Sequence, residues 1–117
     1  MPIPFTPTSF GGFAKSFPVT TAGDVVVVPT PGHTPNHVSV IVKTDGRDYF
    51  LAGDTSYTES QLLERRSDGV STKPKVTVAT INRICNYLSS TPTVYLPSHD
   101  PDSAVRLRDA QVTKCDR

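Results

Sequence analysis

The stretch D-V-V-V-V-P-T-P-G-H-T-P-N-H-V-S, Asp24 to Ser39, decides how this chain folds. Its first part is an unbroken β-branched run, bounded by Gly23 before it and by a Pro/Gly turn after it. With no polar alternation, such a run reads as a strand buried on both faces. The Pro and Gly residues of T-P-G-H-T-P-N-H then stop the strand and open a loop. Two further strand-like runs follow, His37 to Lys43 and Asp48 to Gly53. They are joined by Thr44-Asp45-Gly46-Arg47, in which Asp-Gly is a hairpin signal. Consecutive strands with short loops at their ends are thus expected.

Downstream, Thr58 to Arg66 reads as a short helix, with Thr58 as N-cap and Glu59 in the first turn, where the helix dipole favours an acid. A longer helix is expected from about Lys75 to Ser89, because Val78, Ile81, Ile84, Cys85 and Leu88 recur on one face at helical spacing. Thr93 to Leu96 reads as a last short strand. It ends in Pro97-Ser98-His99-Asp100, and Asp100 with Pro101 behind it reads as the N-cap and first residue of a terminal helical turn. Upstream, residues 1–16 are rich in Pro, Gly, Thr and Phe without a period, a loop-like lead-in. Phe5, Phe10, Phe13 and Phe17 are many aromatics for a solvated tail, and burial in a complete protein is expected for them. The order loop, three strands, two helices, strand, helix implies a sheet with helices on one face.

Length and composition are consistent with one domain, 1–117, of thin stability margin. The apolar fraction of 36% and the 11 prolines are unusual for a self-sufficient globular chain and hint at incompleteness. A formal charge of +1 with interspersed signs offers neither a basic stripe for nucleic acid nor an acidic tail, so no nucleic-acid partner is expected. No apolar run approaches a membrane span, and the N-terminus lacks the charged start and apolar core of a signal peptide. A soluble, cytoplasmic protein is expected. Cys85 and Cys115 form no C-x-x-C spacing and read as free thiols outside any site.

The chain has three histidines, in G-H33-T, N-H37-V and S-H99-D. Each sits in a loop or at a strand edge, where imidazoles can converge without burial under apolar neighbours, as a metal site requires. Any one of them alone reads as a surface or hydrogen-bonded structural histidine. Asp54, after L-A-G, ends a predicted strand and alone reads as a turn residue or cap.

Together these segments resemble a known family. V-P-T-P-G-H-T-P-N-H-V-S (Val28 to Ser39), Y-F-L-A-G-D-T-S-Y (Tyr49 to Tyr57) and Y-L-P-S-H-D (Tyr95 to Asp100) resemble, in order and spacing, the second half of the metallo-β-lactamase superfamily. The likeness covers roughly Pro18 to Leu107. It implies an α/β (α+β) chain: half of an αββα sandwich, with a mostly antiparallel or mixed sheet covered by helices. The family's dinuclear zinc site lies at the sheet edges. His33 matches a ligand of the first metal, Asp54 the carboxylate bridging both metals, and His99 a ligand of the second. His37 matches a supporting residue of the same loop. Tyr57, in D-T-S-Y, matches the tyrosine of quorum-quenching N-acyl-homoserine lactonases, whose hydroxyl bonds the substrate carbonyl and helps stabilise the oxyanion. Tyr57 also reads as a packing residue near a helix start. The resemblance implies a hydrolase cleaving a small-molecule ester or lactone by metal-bound hydroxide.

The family's His-x-His-x-Asp-His signature is absent from the chain, and all three histidines are already assigned to second-half positions. His33, Asp54 and His99 leave fewer donors per metal than the three protein ligands of a hydrolytic zinc, so weak or absent metal binding is expected of this chain alone. Asn36 stands where the family loop has glycine, a place where positive φ would carry some cost. Half a sandwich leaves one sheet face unpaired, which implies self-association or pairing with a missing N-terminal half. Two alternatives stay open beside the lactonase: a glyoxalase II-like thioesterase or β-lactamase of the same fold, and a non-catalytic remnant.

Overall fold

The computed structural model describes residues 3–67, 69 and 73–115; residues 1 and 2 of the lead-in lie outside them. Five strands form one mixed sheet in the order β1 (Phe17–Pro18), β2 (Val25–Pro29), β3 (Val38–Lys43), β4 (Asp48–Gly53) and β5 (Thr93–Pro97). The first three pairings are antiparallel and the fourth is parallel. The parallel pair needs a long crossover. Helices α1 (Glu59–Leu63) and α2 (Pro74–Ser90) provide it, and α3 (Ser103–Arg108) follows β5.

The Asp45-Gly46 turn joins β3 to β4 as expected, pairing Lys43 with Asp48 and Val40 with Leu51. Register places Val26, Val28, Ile41, Phe50, Ala52 and Tyr95 on one face, where they pack with Leu62 of α1 and Ile81, Ile84 and Leu88 of α2. Phe50 is the centre of this core, with ring centroids of Phe13, Tyr87 and Tyr95 at 6.2, 6.2 and 5.7 Å. Aromatic pairs at such spacing add about 1 kcal/mol each beyond their buried area. Phe13 is wholly buried within this chain, so the lead-in has packing here, with Phe10 against the same cluster. The opposite face presents Val25, Val40, Val42 and Tyr49 half-buried and Leu51 43% exposed. No described helix is long and apolar enough to cross a membrane.

Several expectations are corrected. Phe17–Pro18 forms a short edge strand that the Pro-rich composition concealed. The first helix stops at Leu63, since Glu64 caps it and Arg65 takes φ 56°. The regular last helix begins at Ser103; before it Asp100 and Pro101 open the expected turn, the Asp100 carboxylate accepting the Asp102 N–H at 2.9 Å and its carbonyl the Ser103 N–H at 3.1 Å. Asn36 does not adopt positive φ; in its loop that conformation falls to Gly32, so the expected cost does not arise.

The cysteines are not free thiols: Cys85 and Cys115 are disulfide-bonded, with Cα atoms 5.3 Å apart. Sequence spacing could not show this. The C-terminal segment turns back along β5, where the Thr113 N–H donates to the Thr93 carbonyl at 2.8 Å, and this brings Cys115 under α2. At the far end of the sheet, the Tyr87 hydroxyl donates to the buried Asp48 carboxylate, which also receives Lys43 Nζ at 3.2 Å. Burial, with Asp48 adding to it, pushes the Tyr87 hydroxyl far above its ordinary pKa.

Candidate functional site

Strands β2, β4 and β5 run in one direction, so their carboxyl ends share an edge of the sheet. That edge is where open α/β sheets present their functional loops. The loop after β2 carries His33, the residues after β4 carry Asp54 and Tyr57, and the turn after β5 carries His99. The three separated sequence motifs therefore meet because of strand direction alone.

Asp54 lies between the two histidines, offering one carboxylate oxygen to each. His99 Nε2 is 3.0 Å from Oδ1 and His33 Nε2 is 3.7 Å from Oδ2. Side-chain exposures of 22% for His33, 35% for Asp54 and 63% for His99 leave the group open to solvent. The Tyr57 ring stands edge-on to both imidazoles, with centroids 6.0 Å from His33 and 5.6 Å from His99. His33, Tyr57 and His99 line a cavity of about 400 Å³. That volume lies within the usual range for small-molecule sites.

His37 is in the same loop but stands behind the aspartate, not beside its carboxylate. Its Nε2 accepts the Asp54 backbone N–H at 3.0 Å, and its Nδ1 lies 3.0 Å from Thr30 Oγ1. Burial lowers the His37 pKa below the ordinary 6.5, with the Asp54 charge and the Thr30 contact opposing in part. At Gly53, φ is 58° and an added Cβ would meet His37 Nε2 at 2.9 Å. The glycine of L-A-G-D thus makes room for the imidazole. A register shift between β4 and β5 at this point ends the regular pairing just before Asp54.

The surrounding supports were not foreseen. Gln61 is buried; it donates its N–H to Thr58 Oγ1 at 3.1 Å while its side chain accepts the Tyr57 N–H at 2.7 Å. This is a capping box displaced by one residue, and T-x-x-Q was its signal in the sequence. Asp100 accepts from the N–H groups of Glu59 and Asp102, each at 2.9 Å, and from Arg106 Nη2 at 2.9 Å. Burial alone would raise the Asp100 pKa; those hydrogen bonds and the Arg106 charge outweigh it and hold the carboxyl below its ordinary value. The His99 turn is thereby tied to the starts of α1 and α3. On the other side, Thr80 Oγ1 donates to the Pro31 carbonyl at 2.6 Å, and Gly32 packs against Thr77, tying the His33 loop to α2.

Residues 3–110 match the family profile of the Metallo-beta-lactamase superfamily. The chain belongs to the metallo-beta-lactamase superfamily. Its five-stranded mixed sheet with covering helices agrees with the fold of solved members. A crystal structure of a quorum-quenching N-acyl homoserine lactone hydrolase superposes with a TM-score of 0.60 at 26% identity, over 74% of this chain and 35% of that one. AidC, a dizinc quorum-quenching lactonase, superposes with a TM-score of 0.57 at 19% identity, over 70% and 29%. A curated relative, the N-acyl homoserine lactonase AttM of Rhizobium radiobacter, is 26% identical over 89 residues, 75% of this chain and 34% of AttM. The chain therefore spans about a third of the length of these superfamily relatives.

The superfamily implies zinc at this edge of the sheet. Two imidazoles and a carboxylate are of the right kind for zinc, but a hydrolytic zinc takes three protein ligands, and two metals would divide this set further. No group of three or more His, Cys, Asp or Glu side chains among the described residues is arranged to hold an ion. These residues do not fit a metal centre by themselves.

Proposed function

We propose that this segment forms one wall of the active site of a lactonase-type hydrolase, acting on the ester bond of an N-acyl-homoserine lactone. The observation that carries the proposal is the seat of Tyr57: in T-shaped contact with His33 and His99, the two histidines that flank Asp54, and in the lining of the cavity. Likeness to AttM and to a solved lactone hydrolase supports the substrate class. In this reading Tyr57 donates its phenolic proton to the carbonyl oxygen of the lactone, where negative charge develops as the ester is attacked. Asp54 orients the two imidazoles, one through each oxygen. Zinc enters the proposal only for a site completed by a His-x-His-x-Asp-His segment, to which this chain would contribute His33, Asp54 and His99.

The test is ring-opening of N-hexanoyl-homoserine lactone, followed by proton release, with this segment joined to such a completing segment. Tyr57→Phe is expected to lower kcat by about 10²-fold, as removal of an oxyanion donor does. Absence of lactone turnover, or faster turnover of a thioester or β-lactam, overturns the reading. The shortage of donors favours a second reading, a non-catalytic remnant. Stoichiometric zinc on the purified chain, lost on His33→Ala, would refute it.

A further inference from the structure

Half-buried His37 and three buried hydroxyl side chains, Thr30, Ser39 and Thr55, lie behind Asp54, and their hydrogen bonds run outward from the Asp54 N–H. A backbone N–H only donates, so His37 Nε2, 3.0 Å from the Asp54 nitrogen, must present a lone pair. The ring proton is then on Nδ1, which donates to Thr30 Oγ1 at 3.0 Å. Thr30 Oγ1 in turn lies 2.9 Å from Ser39 Oγ. Ser39 Oγ reaches the Ala52 carbonyl at 3.3 Å directly, or at one remove through Thr55 Oγ1, which is 3.2 Å away and itself donates to Ala52 at 2.7 Å. Thr30, Ser39 and Thr55 are all nearly inaccessible to solvent. The chain of bonds thus starts at a pure donor, the Asp54 N–H, and ends at a pure acceptor, the Ala52 carbonyl. Both ends lie at the carboxyl end of β4, and they set the direction from the Asp54 N–H through His37 and Thr30 to Ser39, whose proton goes to the Ala52 carbonyl directly or through Thr55.

We propose that Thr30 is a positioning residue for Asp54: the buried hydroxyl chain it heads holds His37 in its Nδ1–H tautomer, so that Nε2 seats the Asp54 amide. Fixing a histidine tautomer through the partner of its second nitrogen is a general means of orienting a site. Gly53 completes the device, since any side chain there would displace the imidazole. Without the Thr30 hydroxyl, the Nδ1 proton loses this buried acceptor and keeps only the Thr30 backbone beside it, so the Nδ1–H form is less favoured. The other tautomer would place an N–H against the Asp54 N–H, and the aspartate backbone would lose its seat. The functional weight of this inference rests on the proposed role of Asp54, but the hydrogen-bond arrangement does not.

The test is nitrogen NMR of the imidazoles at neutral pH, with amide exchange at Asp54 and, as a control for global opening, at Ile41 in β3. The expected result for the unaltered chain is His37 in the Nδ1–H form and a protected Asp54 amide. Thr30→Val is expected to lower the share of that tautomer and to speed Asp54 exchange at least tenfold relative to Ile41. Thr30→Ser, which keeps the hydroxyl, is expected to restore both. Should Thr30→Val fail to fold, the tautomer in the unaltered chain and the effect of Ser39→Ala decide the matter. An Nε2–H form of His37 in the unaltered chain overturns the proposal, as does a Thr30→Val or Ser39→Ala variant with unchanged tautomer and exchange. Because no readout involves turnover, failure of the lactonase reading would leave this result standing, and the converse also holds.

Discussion

Replacing Asp100 by alanine removes one carboxylate that three groups share: the N–H of Glu59, the N–H of Asp102 and Arg106 Nη2. Both members of the ion pair are buried, with side-chain exposures of 7% for Arg106 and 5% for Asp100. Removing one partner of a buried pair costs about 3–5 kcal/mol, since the remaining charge is left uncompensated. Arg106 retains its bond to the Tyr95 carbonyl and the Glu59 carboxylate at 3.6 Å, which argues for the lower end. The expected loss is thus about 3 kcal/mol, or roughly 10–15 °C in Tm for a chain of this size. Chemical denaturation at neutral pH measures it directly. The pH dependence supplies a second arm through Asp100→Asn, which keeps the shape without the charge. Asp100 is held below its ordinary 3.8, so its contribution is fully present above that value and is lost as pH falls through the lower folded value. The stability gap between the unaltered chain and Asp100→Asn should therefore be widest near neutrality and close below about pH 3.8. A loss under about 1 kcal/mol for Asp100→Ala, or a gap that does not vary with pH, would refute the reasoning.

Three further outcomes are expected. His37 has its pKa lowered in the fold, so its contribution is complete above 6.5 and is lost as pH falls through the lower folded value. Stability measured from pH 8 to 5 should decline more steeply than in His37→Gln, and parallel curves would contradict this. Gly53→Ala puts a side chain at φ 58° and against the His37 ring, so a loss of about 2 kcal/mol or more is expected in denaturant titrations. A tolerated alanine would mean that His37 does not sit against Gly53. Breaking the Cys85–Cys115 link, 30 residues apart, with a double serine substitution should cost roughly 3–4 kcal/mol on the loop-entropy account. Thiol titration of the unreduced chain should find neither cysteine reactive.

What could be read from the sequence was whatever local pattern determines. The unbroken Val25–Pro29 run, the Asp45-Gly46 turn pair and the helical spacing of Ile81, Ile84, Cys85 and Leu88 are each local signals, and all three stand where the pattern put them. His33, Asp54, Tyr57 and His99 could be picked out only through the resemblance of their three motifs to the superfamily, and shared strand direction then brings the motifs to one edge. The parts that escaped depend on contacts between distant segments. Cys115 reaches Cys85 only because residues near Thr113 return along β5. Asp100 caps the turn that follows it, as its pairing with Pro101 suggested, but its second oxygen also reaches the start of α1, which no local pattern shows. Thr30, Ser39 and Thr55 look like ordinary strand and turn residues until packing closes their hydroxyls around His37.

Those long-range supports bear on what a completing segment would have to provide. Asp54 is seated through its own N–H by His37, the His99 turn is held by Asp100, the His33 loop is tied to α2 by Thr80 and the backbone of Tyr57 is fixed by Gln61. Every one of these ties is made within the segment described here, and none uses the carboxylate or imidazole edges that face the cavity. A dinuclear site divides its labour between placing ligands and supplying enough of them. In the proposed reading, His33, Asp54 and His99 are placed by residues of this chain, while the number of donors falls short of a hydrolytic zinc. On the proposed function, an additional segment bearing further imidazoles would therefore meet side chains already held in place rather than having to organise them. Binding to such a site avoids the cost of ordering these loops.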